Sequence, residues 1–108
     1  MYWRDTQIDV DPLMLRSRGA ARLQADLEHE SDPVMAAFLR LALLVARKPY
    51  PTHPEAWEAG VCAVAHSLWI SEGNFAAAQE STRQDLKTKG LRQEYRAGQR
   101  AALALLGR

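Results

Sequence analysis

Apolar residues recur along most of this chain at the three- or four-residue spacing that marks one face of an amphipathic helix. Only residues 6–10 alternate as a strand would, with Ile8 and Val10 on the same side. We therefore expect an all-α fold, a compact bundle of four or five helices, with residues 1–11 as an extended N-terminal arm and residues 12–108 as a single helical domain. The pattern predicts helices over residues 12–29, 33–47, 53–72, 75–89 and 91–106, with Gly90 either separating the last two or lying within one long helix.

Helix start and stop signals support these boundaries. Asp-Pro pairs at residues 11–12 and 32–33 each place an N-capping carboxylate before a proline at the first helical position. Thr52 and Glu55 have the spacing of a capping box at the start of the third helix. The prolines of residues 49–54 predict an extended linker between the second and third helices.

The second and third predicted helices carry more apolar surface than one contact face requires. The second is apolar on nearly every side, so it lies either at the centre of the bundle or between two subunits, and we expect a homodimer. The third has a main apolar stripe that consists of Trp57, Val61, Val64 and Leu68. Cys62, His66 and Trp69 lie roughly 100–160° away from that stripe. This second, mixed face is covered either by the fold or by a partner.

One short pattern occurs twice in the chain. Residues 57–63 and 95–101 both contain an aromatic residue, then any residue, Ala, Gly, any two residues and Ala. A helical glycine flanked by alanines lets another backbone come close, and the aromatic residue one turn earlier can cover the crossing. The pattern therefore predicts close helix contacts at Gly60 and Gly98.

Composition and charge exclude several classes of protein. An apolar fraction of 47% is sufficient for a folded core, and the single cysteine excludes an intrachain disulfide. Lys and Arg number 14 against 13 Asp and Glu, which disfavours nucleic-acid binding along the whole chain. The apolar run over residues 34–46 is too short to span a bilayer, and the first ten residues do not have the pattern of a signal peptide. We expect a cytoplasmic protein.

Two groups of residues could carry chemistry, and packing explains each of them more simply. Cys62 and His66 lie one turn apart, with Glu58 one turn earlier, a spacing that suits an activated thiol or three metal ligands. Because no orienting group or second ligand cluster accompanies them, a packing role is favoured. The carboxylates of residues 26–32 lie at a helix end and a cap, where a solvated turn is favoured over a cation site. We expect no enzymatic activity, no cofactor and no metal.

Positive charge is concentrated towards the C-terminal end of the chain. Residues 83–108 carry a net charge of +5, and Arg92, Arg96 and Arg100 form a stripe along the last predicted helix. Such a stripe can follow the phosphates of a nucleic acid. It is more often the solvated side of an amphipathic helix, and an acidic protein partner is a third interpretation.

The N-terminal arm is rich in side chains that avoid water. Its aromatic and β-branched residues are Tyr2, Trp3, Ile8 and Val10. The arm either folds back over its own helices or docks on a partner with Trp3 as the anchor. The residues that we expect a partner protein to contact are Trp3, Ile8, Val10, Leu13 and Trp69.

Two resemblances bear on function. The segment of residues 95–102, which begins Tyr-Arg-Ala-Gly, resembles the aromatic-x-x-Gly segment of ribosome modulation factor, which implies ribosome binding. In size, helical content, apolar arm and lack of catalytic motifs, the chain resembles the QslA-type quorum-sensing antiactivators, small helical proteins that bind a LuxR-type transcription factor and block its dimerisation. This second resemblance implies an antiactivator that sequesters a transcriptional regulator. The alternative is a nucleic-acid or ribosome-associated regulator that binds through Arg92, Arg96 and Arg100.

Overall fold

Six α-helices make up most of the part of the chain that the structure describes, residues 1–47 and 54–106. In this computed structural model the helices are α1 (Pro12–Leu15), α2 (Ala20–Glu28), α3 (Pro33–Ala46), α4 (Pro54–Ile70), α5 (Phe75–Leu86) and α6 (Gln93–Leu106). The all-α prediction is confirmed, with more helices than expected. None of the described helices is long and apolar enough to cross a membrane.

Side-chain caps start three of these helices. The Asp11 carboxylate accepts a hydrogen bond from the Leu13 amide at 2.8 Å, and the Asp32 carboxylate accepts one from the Val34 amide at 3.0 Å. Each bond satisfies a backbone donor that the first helical turn leaves without a partner. Both predicted Asp-Pro starts are therefore confirmed. Asn74 caps α5 in the same way.

Three glycines with positive φ, Gly19, Gly73 and Gly90, lie between helices. Gly19 has a φ of +88°, which an α-helix does not allow, so the single helix predicted over residues 12–29 is wrong. The segment forms α1, a 3₁₀ turn over Arg16–Arg18 and α2 instead. Gly90 has a φ of +89° and separates α5 from α6, which decides between the two possibilities left by the sequence. The predicted linker over residues 49–54 and the capping residue Thr52 lie outside the described residues, apart from Pro54, which begins α4.

The N-terminal arm is a closed loop that packs on the bundle, not an extended segment. An antiparallel bridge joins Tyr2 to Asp9, and the Val10 amide donates to the Met1 carbonyl oxygen at 2.8 Å. The Trp3 ring packs against Phe38 of α3, with ring centroids 5.4 Å apart. The arm therefore folds back over its own helices, which was one of the two possibilities that its composition allowed.

Helix α3 forms the centre of the core. Its buried residues run from Met35 to Val45, and Phe38 and Leu41 are fully enclosed. The other helices and the arm supply the cover, so the chain itself accounts for a helix that is apolar on nearly every side. The character of α3 therefore does not require a second subunit.

The two occurrences of the repeated sequence pattern pack against each other where α4 and α6 cross. A Cβ atom on Gly60 would collide with the carbonyl oxygen of Tyr95, and one on Gly98 would collide with the carbonyl oxygen of Trp57. Each glycine is thus in contact with the backbone of the aromatic residue of the other motif. The predicted close contacts at both glycines are confirmed, and α4 and α6 share the most extensive helix–helix contact in the described fold.

We predict that Gly60→Ala destabilises the protein by about 2 kcal/mol. Overpacking against a backbone that has no room to yield costs about 3 kcal/mol, and the better helix propensity of alanine returns about 1 kcal/mol. Urea unfolding followed by circular dichroism measures the difference.

Gly90→Ala is the control for the Gly60 substitution. A Cβ on Gly90 meets nothing within 4 Å, so the free energy of unfolding of this variant falls only by the cost of the left-handed backbone, about 1 kcal/mol. A Gly60→Ala variant as stable as the parent would show that the helices do not approach this closely.

Candidate interaction surface

Helix α4 has a buried inner side and an exposed outer side. The predicted main stripe, Trp57, Val61, Val64 and Leu68, faces inward and is buried. The residues on the opposite side are at least partly exposed, and we call them the outward face of α4: Ala59, Cys62, Ala63, His66, Trp69 and Ile70. At 100° per residue these six positions lie within roughly one third of a turn. None of these six residues carries a permanent charge, and the exposed carboxylate of Glu55 lies on the same side at the start of the helix.

Apolar residues from the N-terminal segment extend the outward face. The Trp69 indole N–H donates to the Tyr2 carbonyl oxygen at 2.9 Å, which places Tyr2 beside the end of α4. Tyr2 is 63% exposed and Ile70 is 66% exposed. Leu13, which is 40% exposed, adjoins Cys62 through its backbone N–H. The outward face of α4 together with Tyr2 and Leu13 forms the candidate interaction surface.

A groove of about 470 Å³ lies at the C-terminal end of the outward face. Its lining residues are Trp3, Arg4, Trp69, Ile70 and Glu72. The Arg4 guanidinium lies 4.6 Å from the centre of the Trp3 ring, a cation–π contact that fixes this side of the groove. Arg4 and Glu72 also adopt left-handed backbone conformations, with φ of +50° and +55°. The groove thus combines an apolar floor with one cation and one anion at its rim.

The structure separates the five predicted contact residues. Leu13 and Trp69 both lie on the interaction surface. Trp3 is only 3% exposed and Val10 is fully buried, because each packs into the core of its own chain. Ile8 is half-buried and lines a different groove, beside Met35 and Leu39.

This placement corrects the role expected for the arm. A partner could contact Val10 only if the arm left the bundle, and that would expose the apolar area that holds the arm in place. A partner could contact only the edge of Trp3 that lines the groove. Sequence reasoning also missed Tyr2 and Ile70, although Ile70 follows His66 by four positions and could have been assigned to the same face.

Cys62 and His66 occupy the middle of the outward face. Burial raises the pKa of the Cys62 thiol to about 12, and the nearby Asp11 carboxylate, 4.0 Å away, adds to this effect. This environment favours the protonated thiol rather than a nucleophilic thiolate. His66 packs its ring against Trp69, with centroids 5.8 Å apart.

Glu58 does not join Cys62 and His66 as a third ligand. It lies one turn before Cys62, but it is buried and its carboxylate accepts a 2.7 Å hydrogen bond from Arg16, which ties the N-terminal segment to the helix. Among the described residues, no three His, Cys, Asp or Glu side chains are grouped so that they could hold a metal ion. In the carboxylate cluster of residues 26–32, Asp26 pairs with Arg18 and Asp32 caps α3.

The three arginines of the predicted stripe differ in their contacts. The Arg96 guanidinium donates to the carbonyl oxygens of Leu86 and Thr88, so it satisfies the backbone at the end of α5. Arg92 and Arg100 remain exposed. The expectation of three equivalent, phosphate-facing arginines therefore needs correction: Arg96 holds α5 to α6, and two exposed arginines remain for an anionic partner.

No family model, curated protein or solved structure matches this chain. The resemblances to the quorum-sensing antiactivators and to ribosome modulation factor therefore stay predictions.

We predict that the folded chain resists thiol reagents. At pH 8 the native protein should react with a disulfide reagent about a hundredfold more slowly than the urea-unfolded chain, because the raised pKa keeps Cys62 protonated. The release of the coloured thiolate product measures both rates. Equal rates in the two states would contradict the environment described for Cys62.

The same thiol makes the fold sensitive to alkali. The unfolded chain releases the Cys62 proton near the ordinary pKa of 9.0, whereas the folded chain holds it to about 12. The stabilising contribution is therefore complete below pH 9 and is lost as the pH rises above it. We expect the free energy of unfolding to fall less between pH 9 and pH 11 in Cys62→Ser than in the parent. Parallel pH profiles for the two proteins would exclude Cys62 as the source.

Proposed function

We propose that this protein acts by binding another protein through the interaction surface on α4. The observation that carries the proposal is the uncharged stretch of this face from Ala59 to Ile70, which leaves Ile70 66% exposed beside Tyr2, itself 63% exposed. Contiguous apolar surface that is exposed to solvent often marks a protein contact site, whereas apolar residues scattered singly over a surface do not. The raised pKa of Cys62 gives no support to a reactive thiol on the same face.

The groove beside Trp69 supplies an anchor for such a partner. An apolar side chain of the partner would enter between the tryptophans, and polar groups next to it would meet Arg4 and Glu72 at the rim. Well-packed aromatic anchors with a polar rim carry most of the binding energy at protein interfaces. Burying the Ile70 side chain alone would contribute about 1.5–3 kcal/mol.

The more specific proposal is an antiactivator that sequesters a transcriptional regulator, of the LuxR type, and blocks its dimerisation in the cytoplasm. Its support is the resemblance in size and helical content to the QslA-type antiactivators. A surface built to bury apolar residues of another protein suits this mode of action, because blocking a dimer requires occupation of an apolar interface. The second candidate, binding of a nucleic acid or the ribosome, draws its support from exposed Arg92 and Arg100.

We predict that Ile70→Asp abolishes partner binding without unfolding the chain. Ile70 is largely exposed, so the substitution should leave the helical circular dichroism spectrum intact while it places a charge in the apolar contact. The measurement is a pull-down from the native cytoplasm at low and high salt, with mass spectrometry of the retained proteins.

Ala25→Asp is the matched control, since it adds the same charge at an exposed position of α2. A protein retained at both salt concentrations by the parent and by Ala25→Asp, but not by Ile70→Asp, supports the proposal. Equal retention by all three chains contradicts it. RNA or ribosomal proteins that wash off as the salt concentration rises would support the arginine alternative instead, because each phosphate contact contributes to the salt dependence.

A further inference from the structure

We propose that helix α5 and the phosphate backbone of a nucleic acid compete for Arg96, so that binding of the nucleic acid releases α5 from α6. This inference rests on the second candidate function, because it uses the same arginines, and it adds a condition to that function. Phosphate binding by Arg92, Arg96 and Arg100 together requires α5 to leave its place against α6.

The N-terminal end of α5 is fixed to the core. A Cβ atom on Gly73, just before the helix, would lie 2.9 Å from the side chain of Val34 and 3.1 Å from that of Trp3, so this connection is tightly packed. Asn74 caps the helix, and Phe75 packs against the buried core. Any movement of α5 therefore starts from its other end.

The rest of α5 buries little apolar surface. Of the residues of this helix, all of which the structure describes, only Ala78 and Thr82 are buried. The Thr82 hydroxyl donates to the Ala78 carbonyl oxygen at 2.9 Å, so this bond lies within α5 and does not attach it to α4 or α6. Segments with few buried apolar groups are the ones that detach while the rest of a protein stays folded.

Two polar side chains of α6 attach the C-terminal half of α5. Arg96 donates to the carbonyl oxygens of Leu86, at 3.4 Å, and of Thr88. The Gln99 amide donates to the Asp85 carboxylate at 3.3 Å. This attachment is incomplete, because Arg96 Nε and Gln99 Oε1 are buried and have no hydrogen-bond partner among the described residues. Buried polar atoms without partners weaken the contact that buries them, so docked α5 depends on the bonds from Arg96.

Docked α5 also keeps phosphates away from the arginine stripe. Arg92, Arg96 and Arg100 follow at four-residue intervals, which places them about 6 Å apart along one side of α6. The outer two are exposed, whereas the Arg96 guanidinium is bonded to the end of α5. Asp85 brings a carboxylate to Gln99, one turn from Arg96, and this negative charge repels phosphate. Release of α5 removes the carboxylate and completes the row of three arginines.

The completed row suits one kind of occupant. Evenly spaced cations match the evenly spaced phosphates of a nucleic-acid backbone, which is why we expect a nucleic acid here. The competition is reciprocal, since a ligand that favours the released state of α5 must be bound more tightly by any variant that releases α5.

Hydrogen exchange of the whole chain, read out by mass spectrometry, tests the proposal. Amides of α5 should exchange at least about tenfold faster than those of α3, because α5 opens without global unfolding. A short single-stranded RNA at low salt should raise α5 exchange about tenfold further and leave α3 unchanged. Exchange of α5 at the rate of α3, or exchange that bound RNA does not raise, overturns the proposal.

Two variants of α5 test the reciprocal effect. Ala78 is fully buried, so Ala78→Gln should release α5 and strengthen RNA binding about tenfold, as measured by fluorescence anisotropy. Ala77→Gln, the same change at the exposed neighbouring alanine, should bind RNA as the parent does. Equal RNA affinities of the two variants would contradict the competition.

Arg96→Met separates the two roles of this arginine. It should raise α5 exchange about tenfold, because both bonds to the end of α5 are lost. It should nevertheless bind RNA about tenfold more weakly than Ala78→Gln, since it lacks the middle arginine of the row. Arg100→Met should weaken RNA binding and leave α5 exchange unchanged. An Arg96→Met variant that binds RNA as tightly as Ala78→Gln would show that Arg96 contacts no phosphate and would overturn the proposal.

Failure of this inference is distinct from failure of the function on which it rests. RNA binding that is the same with α5 docked or released removes the competition and keeps the second candidate function. A parent and variants that bind no RNA remove both. Neither result bears on the binding of a protein through Ile70, which lies on a different surface.

Discussion

The contact between Gly60 and Gly98 sets the orientation of α4, and the interaction surface depends on that orientation. At this crossing the carbonyl oxygens of Tyr95 and Trp57 occupy the space in which side chains would otherwise begin. Only glycine allows two helix backbones to approach so closely. Because the contact fixes which side of α4 faces α6, the opposite side has to face outward. The side that remains, from Ala59 to Ile70, contains no charged residue that would suit it to permanent solvation.

The N-terminal segment completes the surface while it closes the core. Trp3 and Val10 are buried, and the same fold-back brings the Tyr2 carbonyl oxygen to the Trp69 indole N–H. The polar atom of Trp69 is therefore satisfied within the chain, which leaves its ring available for apolar contact. Arg16 holds the same segment to α4 through Glu58. The outward face is thus presented by a supported helix rather than by a loose arm.

The sequence predicted α3 to α6 and the glycine contacts because both depend on local patterns, whereas the single helix expected over residues 12–29 is interrupted at Gly19. Asp-Pro pairs cap a helix wherever they occur, and a glycine between alanines permits close approach in most settings. The surface against which the arm packs was not predictable, because Trp3 and Trp69 are equally apolar and only the tertiary fold decides which of them is buried. The role of Arg96 was hidden for a similar reason, since its acceptors are the carbonyl oxygens of Leu86 at the end of α5 and of Thr88 in the connection that follows, and not groups on its own helix.

Hydroxyl-radical footprinting, read out by mass spectrometry, tests most directly whether the outward face of α4 is the surface that binds protein. The chain is labelled in dilute solution and again in the associated state, either at high concentration or with a captured partner. We expect Tyr2, Trp69 and Ile70 to be labelled in dilute solution and to become protected on association, while exposed Met14 in α1 serves as an internal reference for labelling. Protection confined to α6 around Arg92 and Arg100, with Trp69 and Ile70 labelled equally in both states, would contradict this expectation.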